Sequence, residues 1–278
     1  ASACGAGGMV AISTALIKDS YEGKEMSKVL SVTQAFMLIA PMLAPVLGAI
    51  ILKVSDWKMT FIVLAILTGV SLVGAFLLQE TLPVKERTHS STIQTILGLR
   101  KVAKNPNFSS LLLVGAFISA PFMAYLALAS YIYIDGFGVS ETTFSIYFAI
   151  NSAAAILGPV IYMKFGAGSV KKVINVGIIV SIISAGLILT VGNAGPIIFL
   201  LSYVIYSIVT SYFRPMISDL LLSATNTDVG AASSVMSFAF TIVGSLGMVV
   251  GTLRWSSYIG GLAMTMFIFI ALTLLVWI

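Results

Sequence analysis

The chain has 278 residues, 59% of them hydrophobic and 9% charged, with a formal net charge of +5 and a mean hydropathy of +1.07. A water-soluble domain carries roughly 25% charged residues, so this composition excludes a globule with a polar coat. The single cysteine, Cys4, excludes an internal disulfide and reads as a small packing residue.

Nine apolar stretches of around 20 residues read as bilayer-spanning helices: 1–17, 29–52, 60–79, 109–134, 144–163, 173–192, 196–213, 230–253 and 260–278. They are unbroken and do not alternate between polar and apolar residues, which argues against barrel strands. The expectation is an all-α polytopic membrane protein. The first span starts at residue 1 with no initiator methionine and no charged flank, so further spans upstream are expected.

The second span contains "AFMLIAPMLAPVLGAIIL", with Pro41 and Pro45 four residues apart. Each proline removes a backbone donor and bends a helix, a cost that membrane helices offset through neighbouring groups. Ala40, Ala44 and Gly48 recur every four residues, a small-residue stripe that lets another helix approach closely. Gln34 and Met37 lie beside it. The longest connection, 80–108, separates three spans from six. Within it "STIQTILGLRKVAK" has the spacing of a short helix on the membrane surface, and His89 reads as a solvated loop residue.

In the fourth span Phe117, Phe122 and Tyr125 surround Pro121, while Tyr131 and Tyr133 near its end read as an interfacial aromatic belt. In the fifth, Phe144, Tyr147 and Asn151 share a helical face that continues to Gly158 before Pro159. In the seventh, Tyr203, Ser207, Thr210 and Arg214 do the same, with Tyr206 beside them. Polar faces of this kind avoid lipid and line a neighbour or a watery cavity. Aromatic and methionine surfaces with a few hydroxyls suit variable, lipophilic ligands. The eighth span carries Gly244, Gly247 and Gly251 on one side.

The ionisable residues Asp19, Glu80, Asp135, Glu141, Arg214 and Asp219 all read as lying near span ends. The spans offer no serine–histidine pair, paired carboxylates or metal-ligand cluster, so neither an enzyme nor a bound cofactor is expected. Taking the first connection as cytoplasmic, twelve of the 15 Lys and Arg residues fall on that side and Lys53, Lys58 and Arg254 on the other. That asymmetry is the positive-inside signal; it explains the basic balance through lipid contact, without nucleic acid. "Ile17-Lys18-Asp19" recurs as "Ile217-Ser218-Asp219" at an offset of 200 residues, a faint sign of duplicated halves.

Four stretches, "LIKDSYEGKEMSK", "APMLAPVLGAI", "QETLPVKER" and "GAASSVMSFAFTIVGSLGMVVG", resemble the drug/proton antiporter branch of the major facilitator superfamily, in particular its bicyclomycin-resistance (Bcr/CflA-like) group. The second stretch resembles that branch's antiporter motif, with Ala44 in place of the glycine before the proline and Ala49 in place of the second glycine of the pair. The resemblance implies helices four to twelve of a twelve-helix fold. Residues 1–79 would be the second triplet of the amino-terminal half, 80–108 the central cytoplasmic loop and 109–278 the carboxy-terminal six-helix half. It further implies a gating seam of Ala40, Pro41, Ala44, Pro45, Gly48 and Ala49 against Gly244, Gly247 and Gly251. The substrate cavity would include Gln34, Met37, Phe117, Tyr125, Tyr147, Asn151, Tyr203, Tyr206, Ser207 and Thr210, and an inner charge network Lys18, Asp19, Arg214 and Asp219. The implied activity is proton-coupled efflux of small lipophilic compounds by a monomer in a bacterial inner membrane, the proton-carrying carboxylate lying in the first helix of the family fold. An importer or uniporter of a small metabolite, or a non-transporting remnant, is the alternative.

Overall fold

The computed structural model describes residues 2–77, 99, 102–166, 168–223 and 229–278, without the side chains at 2–8, 10, 11, 34, 38–43, 45, 46, 49, 52, 53 and 229. The surface helix expected within 80–108, His89 and the Cys4 side chain therefore lie outside the described residues. What is described is helical throughout: α1 (Ser2–Ser20), α2 (Gly23–Val54), α3 (Trp57–Leu77), α4 (Pro106–Ser130) with a π-helical end (Tyr131–Gly136), α5 (Glu141–Ala155), α6 (Leu157–Phe165), α7 (Val170–Val191), α8 (Pro196–Ser223), α9 (Val229–Gly251) and α10 (Tyr258–Trp277).

Seven helical stretches among the described residues are long and apolar enough to cross a bilayer: Trp57–Leu77, Pro106–Gly136, Glu141–Phe165, Val170–Ala194, Pro196–Ser223, Gly230–Gly251 and Tyr258–Trp277. The first two expected spans are the helices α1 and α2. The fifth expected span is two helices in line, α5 and α6, because Pro159 cannot donate to the Ala155 carbonyl. The seventh runs ten residues past its expected end at 213, through Pro215 and on to Ser223.

Local chemistry sets the helix starts. Asn105 Oδ1 accepts from the Asn107 and Phe108 amides at 3.1 and 3.3 Å, with Pro106 at the first helical position. Ser140 caps α5 through the Thr143 amide at 3.2 Å, and Ser257 caps α10 through Gly260 at 3.0 Å. Side-chain oxygens at these positions satisfy amides that have no partner within the helix.

The last seven helices form one bundle. α4 lies between α9 and α10 and also meets α8, while α8 is enclosed by α4, α5, α6 and α7. α2 packs on α5, α6 and α8, and α1 on α9. α3 packs on α2 and has no buried residue, so a helix apolar all round is left turned outward.

Glycine marks the closest approaches. A Cβ built on Gly158 would run into Ser211 Oγ and the backbone of Tyr212 and Ile208, so α6 lies directly on α8. The face formed by Gly244, Gly247 and Gly251 meets Met123, the Ala120 backbone, and Ala124 with Leu128, all of α4. The expectation that this face meets the α2 stripe is corrected here. Among the described residues a Cβ on Gly48 has nothing within 4 Å, and Ala44 is exposed. Ala40, Pro41, Pro45 and Ala49 fall on undescribed side chains, although the α2 backbone is helical through both prolines. A small-residue stripe lowers the cost of close approach but does not name the helix that makes it.

Gly247→Val forces the α9 backbone away from Ala120 and is expected to cost about 1–3 kcal/mol, read as a lower thermal unfolding midpoint of the purified protein in detergent. Gly48→Val, in open space, is expected to leave that midpoint nearly unchanged.

Candidate functional site

α8 brings the expected polar face to the middle of the bundle. Ser207 Oγ donates to Asn151 Oδ1 of α5 at 2.8 Å. Thr210 bonds back to the Ser207 carbonyl at 3.2 Å. Ser211 Oγ lies 2.6 Å from the Ala155 carbonyl, the acceptor that Pro159 leaves free. Tyr206 donates to the Ile118 carbonyl of α4. Proline is tolerated in membrane helices where a neighbouring side chain takes up the freed carbonyl, as Ser211 does for Ala155.

Around these bonds lies a stack of aromatic rings. Tyr125 of α4 and Tyr203 of α8 are stacked with centroids 4.1 Å apart and planes 19° apart. Phe148 lies parallel to Tyr125 at 6.0 Å, and Tyr206 is 5.7 Å from Tyr203. Tyr147 stacks on Tyr133 at 5.3 Å, and Phe199 stands edge-on to Tyr133 at 5.4 Å. Of the expected cavity residues, the fold thus gathers Tyr125, Tyr147, Asn151, Tyr203, Tyr206, Ser207 and Thr210. Phe117 points elsewhere, 6.1 Å from Phe269 of α10. Met37 is exposed on α2, and the Gln34 side chain lies outside the described residues.

Tyr133 belongs to this cluster, contrary to its reading as a belt residue. It is fully buried, whereas Tyr131 is 48% exposed and pairs with Tyr258 at 5.6 Å. Tyr133 continues the buried face of α4, one turn beyond Ala129 and two beyond Tyr125, whereas Tyr131 lies on the opposite side. The π-helical turn begins here, where the Phe137 amide reaches back five residues to the Ile132 carbonyl at 3.0 Å.

Among the described residues, three hydroxyls in the cluster, those of Tyr125, Tyr133 and Tyr203, are buried without a partner in full hydrogen-bonding geometry. Tyr125 and Tyr133 approach one another, and Tyr203 approaches Ser207, without meeting that geometry. A buried polar group left unsatisfied costs about 1–3 kcal/mol. Nearly every other buried hydroxyl here is satisfied, which makes the trio informative.

A second constellation lies where α2, α6 and α8 meet toward one end of the bundle. The Asp219 carboxylate of α8 accepts from Ser27 of α2 at 2.5 Å and from the Tyr162 hydroxyl of α6, with Ser223 Oγ at 3.3 Å. Met26, Leu30 and Ser31 of α2 are buried beside this contact, while Leu47, Ile50 and Val54 toward the other end of the helix are exposed. Lys18 and Asp19 lie in the last turn of α1.

Arg214 lies in α8, nine residues before Ser223, or about 13–14 Å along the axis, and its guanidinium stands 5.2 Å from the centre of the Phe240 ring. Helix α8 passes through the adjacent Pro215.

Helices of spanning length packed around a polar, aromatic centre, with a separate helix fastened to them at one end, define a membrane carrier architecture. The sequence profile of the Major Facilitator Superfamily matches residues 1–252, and the chain belongs to that superfamily, which places it among transporters and not enzymes. The uncharacterized MFS-type transporter YdgK of Bacillus subtilis (strain 168) is 35% identical over 158 residues, 56% of this chain and 39% of that protein. The bicyclomycin resistance protein homolog of Haemophilus influenzae is 26% identical over 163 residues, again 56% and 39%. The chain thus matches about two fifths of the length of these curated relatives. The crystal structure of the human organic anion transporter MFSD10 (TETRAN) superposes with a TM-score of 0.77 at 17% identity, covering 96% of this chain and 66% of that one; it shows the shared fold.

Asp219→Ala removes the acceptor that joins α2 to α6 and α8. With Cys4 replaced by serine and Leu30→Cys as the reporter, maleimide labelling from the inner side is expected to rise several-fold in this variant. Tyr206→Phe removes the hydroxyl that ties α8 to the Ile118 carbonyl of α4, and the unfolding midpoint is expected to fall by the equivalent of roughly 0.5–1.5 kcal/mol.

Proposed function

We propose that the chain is the greater part of a proton-coupled efflux carrier for small lipophilic compounds in a bacterial inner membrane, acting as a monomer. The observation that carries this reading is the uncharged, aromatic and hydroxyl-bearing centre of the bundle, formed by Tyr125, Tyr147, Asn151, Tyr203, Tyr206 and Ser207. Rings and hydroxyls bind varied apolar molecules without demanding one shape, whereas a dedicated nutrient site needs fixed charged partners. The resistance-named relative supports the same reading.

The halves of the carrier are residues 1–79 and 109–278, joined by 80–108, and they rock about the central site. Support comes from the unequal packing of α2, fastened at its inner end through Ser27 and Asp219 and exposed at Ala44, Leu47 and Ile50. The stripe of Ala40, Ala44 and Gly48 is then the surface that closes when the outer side seals. Lys18, Asp19 and Arg214 act with Asp219 in holding or releasing the inner side.

In everted vesicles carrying the full-length protein and energised to an acidic lumen, adding chloramphenicol is expected to dissipate part of the pH gradient, followed with acridine orange. Tyr203→Ala is expected to slow that response at least tenfold. Substrate uptake with no movement of the gradient would replace antiport by uniport.

A second reading, a carrier of organic anions, is favoured by one observation: Arg214 lies within a span beside Phe240, and charges in such positions mark substrate pathways. Competition of chloramphenicol uptake by an aromatic carboxylate such as benzoate, lost in Arg214→Gln, would select it.

A further inference from the structure

We infer that the hydroxyls of Tyr125, Tyr133 and Tyr203 form a hydrogen-bonding subsite for an uncharged aromatic ligand, with Tyr133 two turns beyond Tyr125 on the same buried face. This rests on reading the cluster as the carrier's substrate centre and adds to it a ligand chemistry and a residue from outside the expected cavity.

Three observations converge. The three hydroxyls are buried and unpartnered, although each phenol is able both to donate and to accept. They come from two separate helices and the π turn and still face one another, so chance orphaning of scattered groups does not describe them. The neighbouring bonds are complete: Tyr206 is engaged by Ile118, Ser207 by Asn151 and Ser211 by Ala155. The unused capacity is confined to one spot.

The chemistry of that spot selects its ligand. Among the described residues no carboxylate or cation belongs to the cluster, and Asp135, two residues from Tyr133, is exposed. A permanent cation would meet ring faces there but no counter-charge, and it would leave the hydroxyls unused. A flat ring carrying an amide, nitro, carbonyl or hydroxyl group would slot beside the Tyr125–Tyr203 stack and pair with the phenols. Discrimination of this kind is strong, because a ligand without the polar group leaves the site's own groups unpaired.

The test is equilibrium binding to the full-length protein in nanodiscs, with chloramphenicol, an uncharged nitrobenzene bearing an amide and hydroxyls, and tetraphenylphosphonium, an aromatic cation with no hydrogen-bonding group. Tyr133→Phe and Tyr203→Phe are each expected to weaken chloramphenicol binding by roughly five- to tenfold and to change tetraphenylphosphonium binding less than twofold. Because the lost hydroxyls have no protein partner, thermal midpoints are expected to hold or rise. Equal losses for both probes, unchanged chloramphenicol affinity, lowered midpoints without loss of affinity, or a wild-type protein that binds no chloramphenicol would each overturn the subsite. Phenol-dependent binding without any response of the pH gradient would uphold the subsite and defeat proton-coupled efflux, whereas efflux that is indifferent to the phenols would do the reverse.

Discussion

The bundle depends on hydroxyl groups of α8 that reach the backbone or side chains of the helices around it. Lipid is as apolar as leucine, so burying apolar surface between two membrane helices gains little, and close approach and polar bonds decide which helices remain together. α8 makes these bonds in several directions: Tyr206 to α4, Ser207 and Ser211 to α5, and Tyr212 to the Gly166 carbonyl after α6 at 2.7 Å. It also accepts from α7, through Ser184 and the Ser202 carbonyl at 2.6 Å. Pro159 is part of the same arrangement, because it frees the Ala155 carbonyl that Ser211 takes up. A kink would be costly in hydrocarbon without such a donor.

Against that background of complete bonding, the three unpartnered phenols separate the site from the scaffold. Tyr203 and Tyr206 are close along one helix and both fully buried, yet one hydroxyl holds a neighbouring helix and the other holds nothing. Composition and burial are the same for the two. Only the distribution of acceptors distinguishes a residue that fastens helices from one with capacity left for a ligand.

The small residues divide in a similar way. Gly158 and Gly247 admit backbone contact within the carboxy-terminal bundle, where α6 lies on α8 and α9 on α4. Among the described residues Gly48, in a stripe of the same kind, meets nothing within 4 Å. The bundle is tightly packed, whereas α2 is fastened to it by a polar contact at one end.

The sequence by itself determined the class of fold, because spanning helices need about 20 apolar residues and a 59% hydrophobic chain has no other way to satisfy its backbone in lipid. It also identified most of the central cluster, since Tyr203, Ser207 and Thr210, like Tyr147 and Asn151, keep a helical register that a straight helix preserves. Tyr133 keeps the register of Tyr125 and Ala129, so its burial was legible in the same way, and only its nearness to the span end pointed to a belt. Partners were decided by tertiary structure alone. A stripe of glycines states that something comes close, and an aspartate states that something donates, but only the packed helices decided that α4 lies on Gly247 and that the hydroxyls of Ser27 and Tyr162 meet Asp219. Periodicity is a property of one helix; contact is a property of two.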